Sequence, residues 1–486
     1  MSGHRIALLG LVLAVASGCS LQPTYDRPAA SIAGTFPSGA AYKSAQAGPS
    51  STSTTLPAAA VGWRDFLRDA RLQRLVEIAL ANNRDLRAAM LNVEQVRAKY
   101  RIQRSALFPQ ADGFADASRS HTPAGIASSG KANTSQTYEV GVSASWEIDF
   151  FGRLRSLNDA ALQQYFATAY ARQAAEILLA SQVADQYLTL LAFDEQLQVT
   201  RQTAATARAS YDIVKLQFDT GTGTELALRQ AQTVVEQTQA NYAAQVRGRA
   251  QAENALVLLV GQPLPPDLPP AARLGAQSLL ADIPEGLPSD LLMRRPDILQ
   301  AESLLRSENA NIGAARAAFF PRISITGILG LASPALSGLF SAGTATWSVA
   351  PSITLPIFNA GSNAANLDVA NIRKDIGIAQ YEKAIQVAFR EVSDGLAARG
   401  TYDDQLAALE RYSSAQQRRL ELSDFRYRNG VDNYLTVLTA QTDYYNAQLS
   451  VVATRLQRLT NLVDLYRALG GGWIQNTGEA PRPVAG

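Results

Sequence analysis

The sequence predicts a mainly α-helical chain carrying four β-strands, built as two copies of one large supersecondary unit. Recurrence is the first of three observations behind this. Asp85, Ala98, Arg104, Phe108 and Pro109 return 212 positions later as Asp297, Ala310, Arg316, Phe320 and Pro321. Ser143, Ile148, Gly152, Asp159 and Asp185 return 209 positions later as Ser352, Ile357, Gly361, Asp368 and Asp394. Gly221, Leu226, Ala231, Gln232 and Gly261 follow the same offset to Gly430, Leu435, Ala440, Gln441 and Gly470. The change of offset between Pro109 and Ser143 predicts a loop three residues longer in the first copy. So long a period is not that of a solenoid repeat. The second observation is a tract from Leu154 to Thr220 with neither Gly nor Pro, enough for a helix about 100 Å long at about 1.5 Å per residue. The third is strict alternation of apolar and small polar residues in two places per copy.

In chain order, the amino terminus comes first. Arg5 precedes an apolar run from Ile6 to Ala16, too short to span a bilayer as a helix and suited to a secretory signal. Ala16-Ser17-Gly18-Cys19 resembles a bacterial lipobox, which implies removal of residues 1–18 and a covalent diacylglycerol and fatty acyl chain on Cys19. Acylation also accounts for an otherwise odd lone thiol in an oxidising compartment. Ser20 in the following position implies sorting to the outer membrane. Residues 19–62 are rich in Ala, Ser, Thr, Gly and Pro and read as an extended, lipid-anchored tether. The first repeat then occupies 63–270, the second 271–470, and a carboxy-terminal tail 471–486.

Each repeat reads helix, two strands, very long helix, tight turn, helix. Both long tracts, Leu154–Thr220 and about Ser362–Asn429, are dense in the strong helix formers Ala, Gln, Leu, Arg and Glu. Their apolar residues form narrow stripes: Val183, Tyr187, Leu190, Leu191 and Leu197 in one, Ile372, Ile376, Ile385, Phe389, Val392 and Leu396 in the other. Narrow stripes suit helices that touch neighbours on two flanks and water on the remaining faces. At the turns, Gly221 and Gly430 supply the left-handed residue that ends a helix, and Thr224 and Asn433 can cap the next. The helices before the strands (about Asn83–Leu107 and Pro296–Phe319) and after the turns together nearly match one long helix in length.

Tyr138, Val140, Val142, Ala144, Trp146 and Ile148 alternate with small or polar residues, as do Trp347, Val349, Ile353, Leu355 and Ile357 in the second copy and Ile323, Ile325 and Leu329 behind Pro321. The pattern fits membrane β-barrel strands, and it fits a soluble half-buried sheet equally. Four strands cannot close a barrel, for which about eight is the practical minimum, and open edges cannot stay in lipid. A membrane reading therefore requires several copies of the chain. No later segment offers about 18 consecutive apolar residues for a membrane helix.

Composition narrows the chemistry. The net charge is +2, so bulk charge implies no nucleic-acid partner. Two histidines, His4 and His121, and one cysteine leave almost nothing for a metal site or a Cys–His nucleophile. A Ser–His–carboxylate triad would have to use His121, in a Ser/Gly/Thr-rich loop. The chain reads as no enzyme.

Several longer motifs, in order, resemble the outer-membrane factor family, the TolC-like exit ducts of tripartite efflux systems, and most closely its OprM-type lipoprotein branch. They are Cys19…Pro23-x-Tyr25-x-Arg27-Pro28, Trp63…Phe66…Asp69…Leu72…Leu75, Trp146-Glu147-Ile148-Asp149-Phe150-Phe151-Gly152-Arg153, Arg294-Arg295-Pro296-Asp297-Ile298, Gly313 through Pro321, and Ala468-Leu469-Gly470-Gly471-Gly472-Trp473. The resemblance implies a homotrimer with a twelve-stranded β-barrel in the outer membrane and a twelve-helix α-barrel reaching through the periplasm. It implies a collar from Trp63–Asn82, Pro263–Arg295 and the carboxy-terminal region. It implies partners too: a periplasmic membrane-fusion adaptor, an inner-membrane transporter of the RND type and outer-membrane lipid, with export of drugs and other small molecules and no cofactor beyond the lipid on Cys19.

By the same resemblance the periplasmic gate follows the second tip turn. Leu435 matches its apolar residue, and Thr439 stands where an aspartate is usual. Asp432 lies in the turn itself. In the first copy Ala227 replaces an Asp of close relatives, while Arg229 is kept. The alternatives are the duct of a type I secretion or metal-efflux system, or a periplasmic coiled-coil scaffold without a pore.

Overall fold

The structure, a computed structural model, describes residues 20–42, 56–128, 130–280, 288, 291 and 294–479. The signal segment 1–18 and the expected lipid site Cys19 lie outside the described residues. In chain order the elements are α1 (Trp63–Phe66), α2 (Ala70–Asn82), α3 (Arg84–Ser105), β1 (Gln110–Thr122), β2 (Asn133–Ile148), α4 (Arg153–Asp219), α5 (Glu225–Val260), α6 (Pro296–Ala317), β3 (Arg322–Ser333), β4 (Ala345–Thr354), α7 (Ser362–Arg428) and α8 (Tyr434–Ala468). The long helices α4 and α7 have 67 residues each. The Asp149 carboxylate caps α4, accepting from Leu154 N at 3.1 Å and Arg155 N at 2.8 Å. The chain divides into two compact units, and each draws segments from both repeats.

One unit gathers residues 20–29, 92–168 and 300–382. Its sheet is antiparallel in the order β1-β2-β3-β4, so β1 and β4 are edges. The extra residues of the first copy lengthen the paired strands rather than the loop. Gln110↔Ser145 runs to Thr122↔Asn133 in the first hairpin, whereas the second spans only Arg322↔Thr354 to Leu331↔Ala345. The connection is no longer in the first copy, which corrects the expected loop insertion. β4 also stops at Thr354, before Leu355 and Ile357, because Pro356 has no N–H to continue the ladder. Neither face of the sheet is covered: every residue of β4 is exposed, and so are Val142, Leu329, Trp347 and Val349. A soluble half-buried sheet would bury one face; within this chain neither face is buried.

Residues 20–29, expected as tether, form no regular element but lie on α6. Glu302, 4 % exposed at its side chain, accepts from Arg27 Nε and Nη2 at 2.9 and 2.7 Å and from Arg306 Nη2 at 2.7 Å. Asn309 Nδ2 donates to the Pro23 carbonyl at 2.8 Å. Two arginines and buried acceptors on a single carboxylate make a charge-assisted clasp of the stronger kind.

The other unit gathers residues 30–91, 169–299 and 383–486. The α4 stripe is buried as expected, from Val183 to Leu197. The α7 stripe divides: Ile385, Val392 and Leu396 are buried here, while Ile372 and Ile376, earlier in the helix, are exposed. Asp69 caps α2 through Leu72 N at 2.8 Å, and Leu72, Leu75, Val76 and Ala79 follow as its buried stripe. The expected collar segments do meet. Trp63 N donates to Ile474 O at 3.0 Å and Leu280 N to Phe66 O at 3.2 Å. The Phe66 ring stacks on Tyr466 at 4.0 Å, and Tyr466 Oη donates to the Val61 carbonyl at 2.6 Å. Gly471 lies so close to the Tyr466 ring that a Cβ would clash with it.

Candidate functional site

Both helix tips are built by the same local chemistry. Gly221, with φ +76°, and Gly430, with φ +73°, take the left-handed conformation, and no atom lies near where a Cβ would be. Backbone torsion alone thus selects glycine at these turns. Thr222 N bonds Gln217 O and Gly221 N bonds Phe218 O. Val431 N and Gly430 N repeat the pattern to Arg426 O and Tyr427 O. These are paired Schellman closures. Thr224 and Asn433 then cap α5 and α8, accepting from Ala227 N and Thr436 N at 3.2 Å each.

Behind the turns an apolar cluster of Val214, Ala231, Tyr434, Val437 and Leu438, flanked by Tyr211, Leu228 and Tyr427, fastens α8 onto α4 and α5. Tyr427 Oη reaches Gln217 Oε1 at 2.9 Å. With Tyr434, Val437 and Leu438 turned inward, helical spacing leaves Leu435 and Thr439 on the other face. Leu435 is 51 % exposed and Thr439 is exposed, and the Thr439 hydroxyl donates to the Leu435 carbonyl at 2.9 Å. Those two expected gate residues share one open face.

The other two do not join them. Arg229 pairs with Glu225 one turn away on α5 at 3.3 Å. Asp432 accepts from Arg426 Nε and Nη2 at 2.6 and 3.1 Å, and these bonds hold its carboxyl below the ordinary value. Sequence reading missed Arg426, and it missed Arg419, which pairs with Asp443 at 2.7 Å. Both bonds tie α7 to the turn or to α8. No helical spacing signals a contact made across a turn.

Higher on α4, Asp185 has a buried carboxylate oxygen without a hydrogen-bond partner. Burial pushes its carboxyl up to about 7; Asp464 adds to this and Arg467 opposes it. An unfolded Asp ionises near 3.9, so between about pH 4 and 7 the folded chain holds the extra proton. The stability contributed is full at low pH and is lost as pH rises through about 7. Asp185→Asn should therefore raise the melting temperature above the parent's at pH 8 and much less at pH 5. An equal gap at both pH values would refute the assignment.

Among the described residues no group of three or more His, Cys, Asp or Glu is placed to hold a metal ion, and no helix is long and apolar enough to cross a membrane. A family described as "Outer membrane efflux protein" matches residues 75–262 and 287–471, one segment in each repeat. The chain is 45% identical to the antibiotic efflux pump outer membrane protein ArpC of Pseudomonas putida, over 97% of this chain and 96% of that one. It is 46% identical to the toluene efflux pump outer membrane protein TtgI of P. putida, over 95% and 97%. The open-state crystal structure of the Neisseria gonorrhoeae MtrE outer membrane channel superposes with a TM-score of 0.84 at 40% identity, covering 95% of this chain and all of that one. An uncovered four-stranded sheet, paired 67-residue helices and a TolC-like channel fold thus coincide in one chain of the outer membrane. The chain belongs to the outer membrane efflux protein family.

Proposed function

We propose that three copies of the chain form the exit duct of a tripartite RND-type efflux pump, passing drugs and other small molecules outward without catalysis or cofactor. The observation that carries this is the sheet: both faces are bare and both edges are open, so in lipid its strands must be completed by other copies. Three copies give twelve strands. The names of ArpC and TtgI, an antibiotic pump and a toluene pump, support small-molecule cargo. The helix tips, with Leu435 and Thr439 on the open face, are the periplasmic gate, and a membrane-fusion adaptor and an inner-membrane transporter open it. Cys19 carries the lipid after removal of residues 1–18, and 19–62 leads from it to the repeats at 63–270 and 271–470. The tail 471–486 adds to the collar.

Protein purified in detergent should have the mass of three protomers and conduct in planar bilayers. A single-protomer mass with full conductance would overturn the shared barrel. A trimer that never conducts, even with Leu435→Ala, would favour a scaffold.

A further inference from the structure

The repeat places one short motif twice, where a helix gives way to a strand. Arg104…Phe108-Pro109 joins α3 to β1, and Arg316…Phe320-Pro321 joins α6 to β3. Each arginine stands in the last turn of its helix and is exposed. Nearby, at the start of α4, Arg153 and Arg155 are held by Glu147 and Asp149 at 2.7 and 3.3 Å. Among the described residues no carboxylate pairs with Arg104 or Arg316. The Arg104 guanidinium makes no hydrogen bond, and that of Arg316 reaches only the Leu21 carbonyl, at a long 3.4 Å.

Two contacts set these turns at a membrane surface. Leu21 lies two residues after Cys19, whose acyl chains enter a leaflet and cannot do so from inside a duct. The chain that meets Arg316 therefore runs along the outside, at the depth of the lipid headgroups. On α3, Trp146 Nε1 donates to the Leu107 carbonyl at 3.1 Å. Trp146 shares the apolar face of β2 with Val140 and Val142, so the end of α3 is tied to the side of the sheet that meets lipid. Phe108 and Phe320, 58 and 39 % exposed, lie four residues beyond the arginines. They fit the aromatic girdle that flanks the apolar band of a membrane barrel.

We propose that Arg104 and Arg316 each hold the phosphate of an anionic phospholipid in the periplasmic leaflet, giving every chain two lipid sites, one per repeat. This rests on the membrane-spanning sheet and the lipid on Cys19 proposed above. A guanidinium on a long apolar stem lies along the girdle with its head among the headgroups, and its planar fork can take two phosphate oxygens at once. No carboxylate offsets either charge, and a zwitterionic headgroup brings a cation of its own, so the anionic lipid is preferred, by about fivefold per arginine. The Cys19 lipid is a tether that leaves depth and tilt free. Equivalent sites on both repeats fix both.

A basic residue in a last turn also suits the helix dipole, but that role would bind no lipid. Native mass spectrometry separates the two. The full-length protein is purified, stripped of bound lipid and given dioleoylphosphatidylglycerol or dioleoylphosphatidylcholine. The parent should retain about two more molecules of the first lipid than of the second per chain. Arg104→Gln or Arg316→Gln should halve that excess and the double variant should abolish it, with protomer number and conductance unchanged. Arg418→Gln with Arg428→Gln, the same loss of charge at exposed arginines of α7, should leave the excess intact. Equal retention of both lipids by the parent overturns the proposal. So does an excess that survives in the double variant, or that falls as far in the α7 control. Any of these results from three protomers that conduct leaves the duct standing, whereas a single protomer that does not conduct overturns the duct whatever lipid it retains.

Discussion

Arg295→Ala should destabilise the protein by about 2 kcal/mol, the order for lost hydrogen bonds to charged groups that water replaces only in part. The Arg295 side chain is 7 % exposed and makes four bonds. Two go to Asp297, Nε to Oδ1 at 3.0 Å and Nη2 to Oδ2 at 2.6 Å; one goes to Glu391 at 2.8 Å and one to the Ala468 carbonyl at 2.8 Å. That carbonyl is among the last of α8, which has no later amide in the helix to accept from. Removing the guanidinium takes this donor from Glu391 and from the helix end, and leaves Asp297 with the Ile298 amide at 3.0 Å. Asp297, 41 % exposed, can turn to water; Glu391, 25 % exposed, can do so less. Arg295→Lys keeps the charge but not the planar fork, so it should fall between the parent and the alanine variant. Thermal unfolding followed by helical circular dichroism decides this, and equal melting of parent and Arg295→Ala would show that the cluster contributes nothing.

The largest functional change is expected at Leu435. An apolar constriction closes a pore by excluding water. Three Leu435 side chains about one axis would supply such a constriction, and Leu435→Ala should raise resting conductance several-fold and let large antibiotics leak inward. Thr439, one turn on, is uncharged. Thr439→Asp would add three negative charges in a narrow space where focused fields favour cations. The reversal potential across a salt gradient should shift toward cation selectivity and become sensitive to Ca²⁺. Unchanged values in both variants would mean that this face of α8 does not line the constriction.

Local rules made most of the fold legible. The absence of Gly and Pro marked α4, and glycine at 221 and 430 marked both turns, because each acts through its own backbone. The strands were visible by alternation, but their partners were not. The same alternation serves a covered sheet and an uncovered one, and the added residues of the first hairpin were assigned to a loop because pairing is a tertiary fact. Arg27 and Glu302, far apart in sequence, could not be joined by composition, which sees only a Ser- and Pro-rich segment. At the tips, resemblance located Leu435 and Thr439, while the Arg426–Asp432 bond crosses a turn at a spacing that no helix rule predicts.

The matched 67-residue helices make the chain a ruler with coarse graduations. Deleting one residue from α4 shortens it by about 1.5 Å and turns everything beyond by about 100°, which would swing Tyr187 and Leu191 out of their stripe. Removing seven restores the stripe to within about 20°. The shortened hairpin would then need the same loss from α5, and keeping the apolar cluster of Val214 with Tyr434 and Val437 level would need it from α7 and α8 as well. A reach adapted to a wider or narrower compartment therefore comes in heptads, taken from four helices at once.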